Sequence, residues 1–234
     1  MTTDRSLARI GAVAAISGTL LLMIGTALHP MTADPADLQA AFTEYARDRG
    51  WVASHLAQFA GVFLVGVGLL AVSQRLIAGP AAAWGWIGAL GTATSVSLAG
   101  VLQAVDGVAL KVMVTRWLAA GGQAQGPAFE AAVAVRQIEI GVASLLSIVF
   151  GMTLLVYAAA IWASRAGPRS FVVLGALAGA GTLAAGVVAA HDGFSALNMT
   201  LTSVTGPLSA VWTVLLGIWL WRTTPARPGG RASC

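Results

Sequence analysis

Apolar residues in this chain come in long continuous runs rather than in alternation, and short polar stretches separate the runs. Six runs, over residues 8–28, 52–74, 84–105, 140–162, 170–190 and 198–221, carry no charge in their central parts. A helix needs about 20 apolar residues to cross roughly 30 Å of hydrocarbon, so each run has the length of one crossing. A membrane barrel would instead show segments of about ten residues with period two. The pattern predicts an all-α protein: a polytopic bundle of six transmembrane helices, forming one membrane domain over 1–222. A polar tail over 223–234 is expected to be a disordered cytoplasmic extension. The first run is longer than the apolar part of a signal peptide, about 7–15 residues, and is expected to be a retained helix.

Between the first two runs, Asp34-Pro35 reads as a helix start, with Asp as N-cap and Pro at the first helical position. Leu38, Phe42 and Tyr45 then recur at helical spacing with charges between them, until Gly50. This predicts a short amphipathic helix lying at the outer membrane surface. Apolar spacing also continues past the third run through Val108, Leu110, Val112, Val114 and Leu118. It resumes at Phe129 and runs through Val133 and Val135 to Ile138. Gly121-Gly122-Gln123 to Gly126-Pro127 supplies the turn between these stretches. The third and fourth helices are therefore expected to extend outward as a hairpin, with Lys111, Arg116, Glu130 and Gln137 at exposed positions. Small residues are dense in the spans, and Gly175-x-x-x-Gly179 is read as a helix-packing contact within the bundle.

Composition strengthens the membrane reading. The chain is 57% apolar and 9% charged, against about 25% charged in soluble domains. The net charge of +4 does not imply nucleic acid, because the basic residues lie scattered at the ends of runs. Twelve of the thirteen basic residues are Arg, and Ala and Gly abound, which fits a GC-rich bacterial genome. One side of the predicted bundle holds Arg5, Arg9, Arg75, Arg165, Arg169, Arg222, Arg227 and Arg231 with a single acid, Asp4. The other holds five basic residues and every other acid. The positive-inside rule then places the protein in the bacterial plasma membrane with both termini cytoplasmic. Trp84, Trp86, Trp162, Trp219 and Trp221 fall at the inner interface, Trp51 and Trp117 near the outer one, and Trp212 inside a span. The only cysteine, Cys234, leaves no disulfide framework or cysteine metal site.

Candidate chemistry is concentrated at the outer side. His29 ends the first helix, His55 lies in the first turn of the second, and His191 ends the fifth, followed by Asp192. Asp106 and Glu139 fall at about the same depth on the third and fourth. Asp106-Gly107 marks a possible site of helix irregularity, and Arg136 with Glu139 has the i, i+3 spacing of an intrahelical ion pair. Ionisable groups near membrane depth are costly unless paired or facing a cavity, so they suggest function. The reading is an outer-leaflet pocket in which His29, His55 and His191 bind a metal such as Zn. Ser54, Asp106 and Glu139 are the candidate catalytic residues, and hydrolysis of a lipid-like substrate is the implied chemistry. Haem b held by two of the histidines is a second possibility. The non-catalytic reading is a membrane subunit or small transporter whose polar cluster is structural. Expected partners are the lipid bilayer, a lipid-like or small-molecule ligand, and a membrane protein or second copy of the chain, with no nucleic acid.

In residue types, three histidines, an aspartate and a serine, the set is similar to the zinc site of alkaline ceramidases and adiponectin-type receptors. Those proteins have seven helices and an H-x-x-x-H pair on the last, and this chain has neither. In helix count and long first outer loop the chain resembles uncharacterised six-helix bacterial membrane proteins, a resemblance that implies no activity. It contains no P-loop, H-E-x-x-H, G-x-S-x-G or dinucleotide fingerprint.

Overall fold

A computed structural model describes residues 2–223; the tail expected to be disordered lies, from 224 on, outside the described residues. Eight α-helices follow one another: α1 (Thr2–Ala27), α2 (Leu38–Arg47), α3 (Trp51–Ile77), α4 (Ala82–Gln103), α5 (Lys111–Ala119), α6 (Gln125–Ser164), α7 (Arg169–Asp192) and α8 (Ala196–Arg222). A π-helical turn, Ala104–Leu110, joins α4 to α5 without a break, so they form one rod. Of the seven rods, all but α2 are long and apolar enough to cross a membrane. No strand occurs among the described residues.

The six long rods close into a ring. α1 packs on α3, α3 on α4, α4 on α6, α6 on α7, α7 on α8, and α8 back on α1. The α1–α3 contact is backbone against backbone. A Cβ at Gly61 would sit 2.5 Å from the Leu22 nitrogen and 2.7 Å from the Gly18 oxygen, so only glycine permits this approach. Gly175 and Gly179 serve packing within the bundle as expected, against the Trp212 ring and Gly151. At the middle of the ring the buried Tyr157 hydroxyl donates to the Leu69 carbonyl at 3.1 Å and lies 2.7 Å from Ser73 Oγ and 2.8 Å from Thr92 Oγ1.

α6 has 40 residues and is about 60 Å long at 1.5 Å per residue, twice the thickness of a bilayer core. α5 packs on α6, and α2 packs on α5. Here the structure corrects three expectations. The helix does not start at Asp34-Pro35. Those residues form a turn, closed by Asp37 N donating to the Asp34 carbonyl at 3.0 Å, and Asp37 is the N-cap, accepting from Ala40 N at 3.1 Å. Proline is favoured at the second position of such turns as well as at helix starts, so Asp-Pro fits either. The apolar face of α2 is also not left for lipid. Ala41, Phe42 and Tyr45 are buried against Leu110, Val114, Trp117 and Ala132. Amphipathic spacing shows that a face must be covered, not what covers it.

The third correction concerns Lys111, expected among the exposed positions. Its Nζ donates to the carbonyls of Tyr45, Ala46 and Asp48 at 2.6, 2.9 and 2.6 Å. The last carbonyls of a helix lack intrahelical partners and carry partial negative charge, and this lysine satisfies them from the neighbouring rod. Arg116, Glu130 and Gln137 are exposed as expected. Hydrogen bonds to charged groups contribute roughly 1.5–3 kcal/mol, so Lys111→Met is expected to loosen α2 by about that much. Hydrogen exchange should rise over 38–48 and stay unchanged in α7 and α8. Equal exchange in both proteins would remove this role for Lys111. Tryptophan placement divides as well. Trp84, Trp86, Trp162 and Trp221 are exposed, whereas Trp51 and Trp117, expected at the interface, are buried in the α2–α5–α6 core.

Candidate metal centre

Three separated pieces of chain meet at this end of the ring: the segment after α1, the first turns of α3, and the π-helical turn. The π turn carries Asp106 and Gly107. A Cβ at Gly107 would lie 2.6 Å from His55 Cβ, so glycine there lets the turn rest directly on α3. Such local widenings of a helix recur at functional sites, and this one aims Asp106 at His55. Trp51, fully buried, braces the contact by donating from Nε1 to the Asp106 carbonyl at 3.1 Å.

His55 Nε2 lies 3.0 Å from Asp106 Oδ2, and Nδ1 lies 2.7 Å from the Trp51 carbonyl. A carbonyl only accepts, so Nδ1 carries the proton. His29 repeats the arrangement, with Nδ1 2.8 Å from the Pro30 carbonyl. Both imidazoles therefore have Nδ1–H tied to the main chain, so Nε2 is the atom a metal would take; in His55 that atom now shares a proton with Asp106 Oδ2. Second-shell bonds of this kind orient metal-binding histidines. The two rings are 4.9 Å apart between centroids, and one ligand atom from each of His29, His55 and Asp106 lies within 4.8 Å of the others. Asp106 Oδ1 is buried without a hydrogen-bond partner. A carboxylate oxygen in that state is under-satisfied and calls for a cation, proton or donor. Burial holds His29 below the usual imidazole range, against the pull of the Asp106 charge, which favours the neutral ring, the form that ligates.

Aromatic rings pack around the pair. Trp51 lies 4.4 Å from Tyr45, 4.5 Å from His55 and 4.6 Å from His29, centroid to centroid. Above them is a cavity of about 200 Å³ lined by His29, Tyr45, Asp106, Arg136, Glu139 and Phe194, among others. Arg136 and Glu139 form the expected i, i+3 ion pair, with Arg136 Nη1 donating to Oε1 at 2.8 Å and Oε2 at 3.0 Å. Arg136 is 5% exposed and Glu139 3%, so this pair is part of the protein interior. The guanidinium also stands 4.6 Å from the Phe194 ring centroid and 5.6 Å from that of Tyr45.

The expected set thus divides. His29, His55 and Asp106 come together; His29 and Asp106 line the cavity with Glu139, and His55 is buried off its wall. His191 does not join them: it is exposed at the end of α7, on a rod that packs on α6 and α8 rather than on α3. Ser54 lies behind His55, not on the cavity; its hydroxyl donates to the Trp51 carbonyl at 2.8 Å and is 3.4 Å from His55 Nδ1. It positions the imidazole. The two histidine rings, 4.9 Å apart and inclined at 57°, leave no slot for a porphyrin between them. Trp51, Tyr45 and Arg136 were not read as site residues. The i, i+4 spacing of Trp51 and His55 on one helical face was the available signal.

No family model, curated protein or solved structure matches this chain. Its functional reading rests on this geometry.

The loop that carries His29 toward the cavity is anchored by Glu44 of α2. Its carboxylate accepts from the Thr32 hydroxyl, from Thr32 N at 3.1 Å and from Ala33 N at 2.9 Å. Burial works against the charge, but these donors prevail and hold Glu44 below the usual carboxylate range. A carboxylate with a depressed folded-state pKa stabilises the fold above its unfolded pKa, and the contribution is lost as pH falls through the folded value. Protection of the 30–37 loop from limited proteolysis is therefore expected to be full at pH 7 and to fall below about pH 4.5. In Glu44→Gln that pH dependence should flatten, and an unchanged profile would count against the anchor.

Proposed function

We propose that this chain is a multi-pass protein of the bacterial plasma membrane that binds a zinc-like divalent metal through His29, His55 and Asp106 and hydrolyses a lipid-like ester or amide. Six apolar rods support insertion. The excess of Arg at the other end of the bundle supports cytoplasmic termini and an outward-facing site. The observation that carries the metal reading is the shared arrangement of the two imidazoles, each with Nδ1–H on a main-chain carbonyl, around a carboxylate with a partnerless buried oxygen.

Two carboxylates, Asp106 and Glu139, line the cavity with one guanidinium, Arg136, and a metal on His55 would take the place of the proton between its Nε2 and Asp106 Oδ2. Zinc bonds of about 2.0–2.1 Å to nitrogen and oxygen put tetrahedral ligand atoms roughly 3.3 Å apart. The three ligand atoms lie within 4.8 Å of one another, so a shared metal would draw the widest pair closer. His29, His55 and Asp106 would hold the metal, which would supply an activated water for hydrolysis near neutral pH. Glu139 lines the same cavity and is the residue assigned to take the proton of the attacking water and return it to the leaving group. Arg136 supplies positive charge beside the developing oxyanion.

The test is elemental analysis of detergent-purified protein, followed by assay against acyl esters and amides. About one zinc per chain, with hydrolysis abolished by a chelator and restored by zinc, is the expected result. Absence of zinc even after incubation with zinc chloride would remove the metal reading and leave His55–Asp106 as a structural tie between α3 and the π turn.

A further inference from the structure

A second cavity of about 210 Å³ lies inside the ring. It is lined by residues of α1, α3, α4, α6 and α7, among them Val65, Leu69, Val96, Leu146 and Phe150. The lining is mostly apolar, and two of the hydroxyls on it bond back to their own helix. Thr92 donates to the Gly88 carbonyl and Ser95 to that of Gly91, both at 2.8 Å. An apolar cavity of about 150 Å³ is enough to bind benzene.

The cavity is aligned with the metal centre. On α3, His55, Gln58, Val62, Val65 and Leu69 follow one face at helical spacing. At 1.5 Å per residue the cavity begins about 10 Å below His55 and reaches about 20 Å below it. On the neighbouring rod, Asp106, Gln103, Ala99, Ser95 and Thr92 make the matching face. Between the two cavities stand Gln58 and Gln103, joined by a hydrogen bond of 3.3 Å from Gln103 Nε2 to Gln58 Oε1. Gln103 Oε1 is buried and has no partner.

We infer that the inner cavity receives the hydrocarbon chain of the substrate. This deepens, and rests on, the reading of the outer site as a metal-dependent hydrolase. The substrate class is a single-chain amphiphile. Its scissile ester or amide lies at His29, His55 and Asp106, and its chain passes between Gln58 and Gln103, parting their long hydrogen bond. The unpartnered Gln103 oxygen accepts from an N–H or O–H near the head of that chain.

The experiment uses the full chain in lipid nanodiscs and a medium-chain fatty acid bearing a diazirine at its terminal carbon. After illumination, labelled residues are mapped by mass spectrometry, and metal content is measured on the same samples. Label is expected at Leu146 and Phe150, and the chelator should not remove it, because the chain needs no metal to bind. Filling the cavity with Ser95→Phe, or with the milder Ser147→Leu should the first fail to fold, is expected to cut that label by roughly tenfold or more while metal content stays unchanged. Label confined to outward residues such as Leu145 and Val173, which are 55% and 56% exposed, overturns the proposal. So does inner label that neither filling variant reduces. Inner label in a protein that holds no metal upholds the chain site and removes the hydrolase reading alone.

Discussion

His55→Ala and Asp106→Ala are expected to purify without zinc under conditions where the unaltered protein holds about one zinc per chain. Changes in the outer-shell partners of a metal already cost 10–100-fold in affinity, and each of these variants removes a ligand itself. His29→Ala should behave the same way, and His191→Ala should keep its metal, since His191 stands exposed and apart from the cluster. Asp106→Asn separates a metal site from a structural hydrogen bond. The amide keeps the size of the carboxylate and can still bond His55, so a structural tie would survive with a modest drop in melting temperature. A metal site would lose its anionic ligand and with it most of its zinc. Titration calorimetry with zinc chloride on the five variants reads the difference. Equal affinity in His55→Ala and the unaltered protein would refute the assignment.

Arg136→Met is expected to be the most destabilising single change in this part of the molecule. Both partners of the Arg136–Glu139 pair are nearly inaccessible, at 5% and 3% exposed. Removing one member of a buried pair leaves an uncompensated charge and costs roughly 3–5 kcal/mol. Replacing both with apolar residues removes the desolvation cost as well and is often neutral or stabilising. The double variant Arg136→Met/Glu139→Leu should therefore recover most of the stability lost by the single one, a non-additivity that reports direct coupling. Hydrolysis should be lost in both, because both carry the proposed chemistry away. Chemical unfolding in detergent provides the stabilities. A double variant as unstable as the sum of the two single ones would show that the pair does not act as a unit.

Much of the fold was legible because hydropathy and length speak directly to it. Six continuous apolar runs imply six rods, and the apolar spacing past 105 and before 140 marks the stretches that form α5 and the start of α6. The candidate site was half legible. The depth at which His29, His55, Asp106, Glu139 and His191 occur could be counted along each rod, since every residue advances a helix by about 1.5 Å. Rotation could not be counted. His191 occupies the right level on a rod that faces away from α3. Trp51 reads as an interfacial tryptophan by position, yet it turns inward and holds Asp106. Lys111 reads as a solvated cation, yet it reaches the end of α2.

The reason lies in the composition of the rods. In a soluble bundle the polar face of each helix marks the outside, so sequence reveals orientation as well as length. In lipid both faces of a rod are apolar, and packing rather than hydrophobic contrast decides which face turns inward. Sequence by itself determined that this protein is helical, how many rods it has, and which residues share a level along them. Only the tertiary structure decided which of those residues face one another. That choice depends on close approaches such as Gly61 on Gly18 and Gly107 on His55, where a glycine's missing side chain has meaning only once the opposing helix is in place.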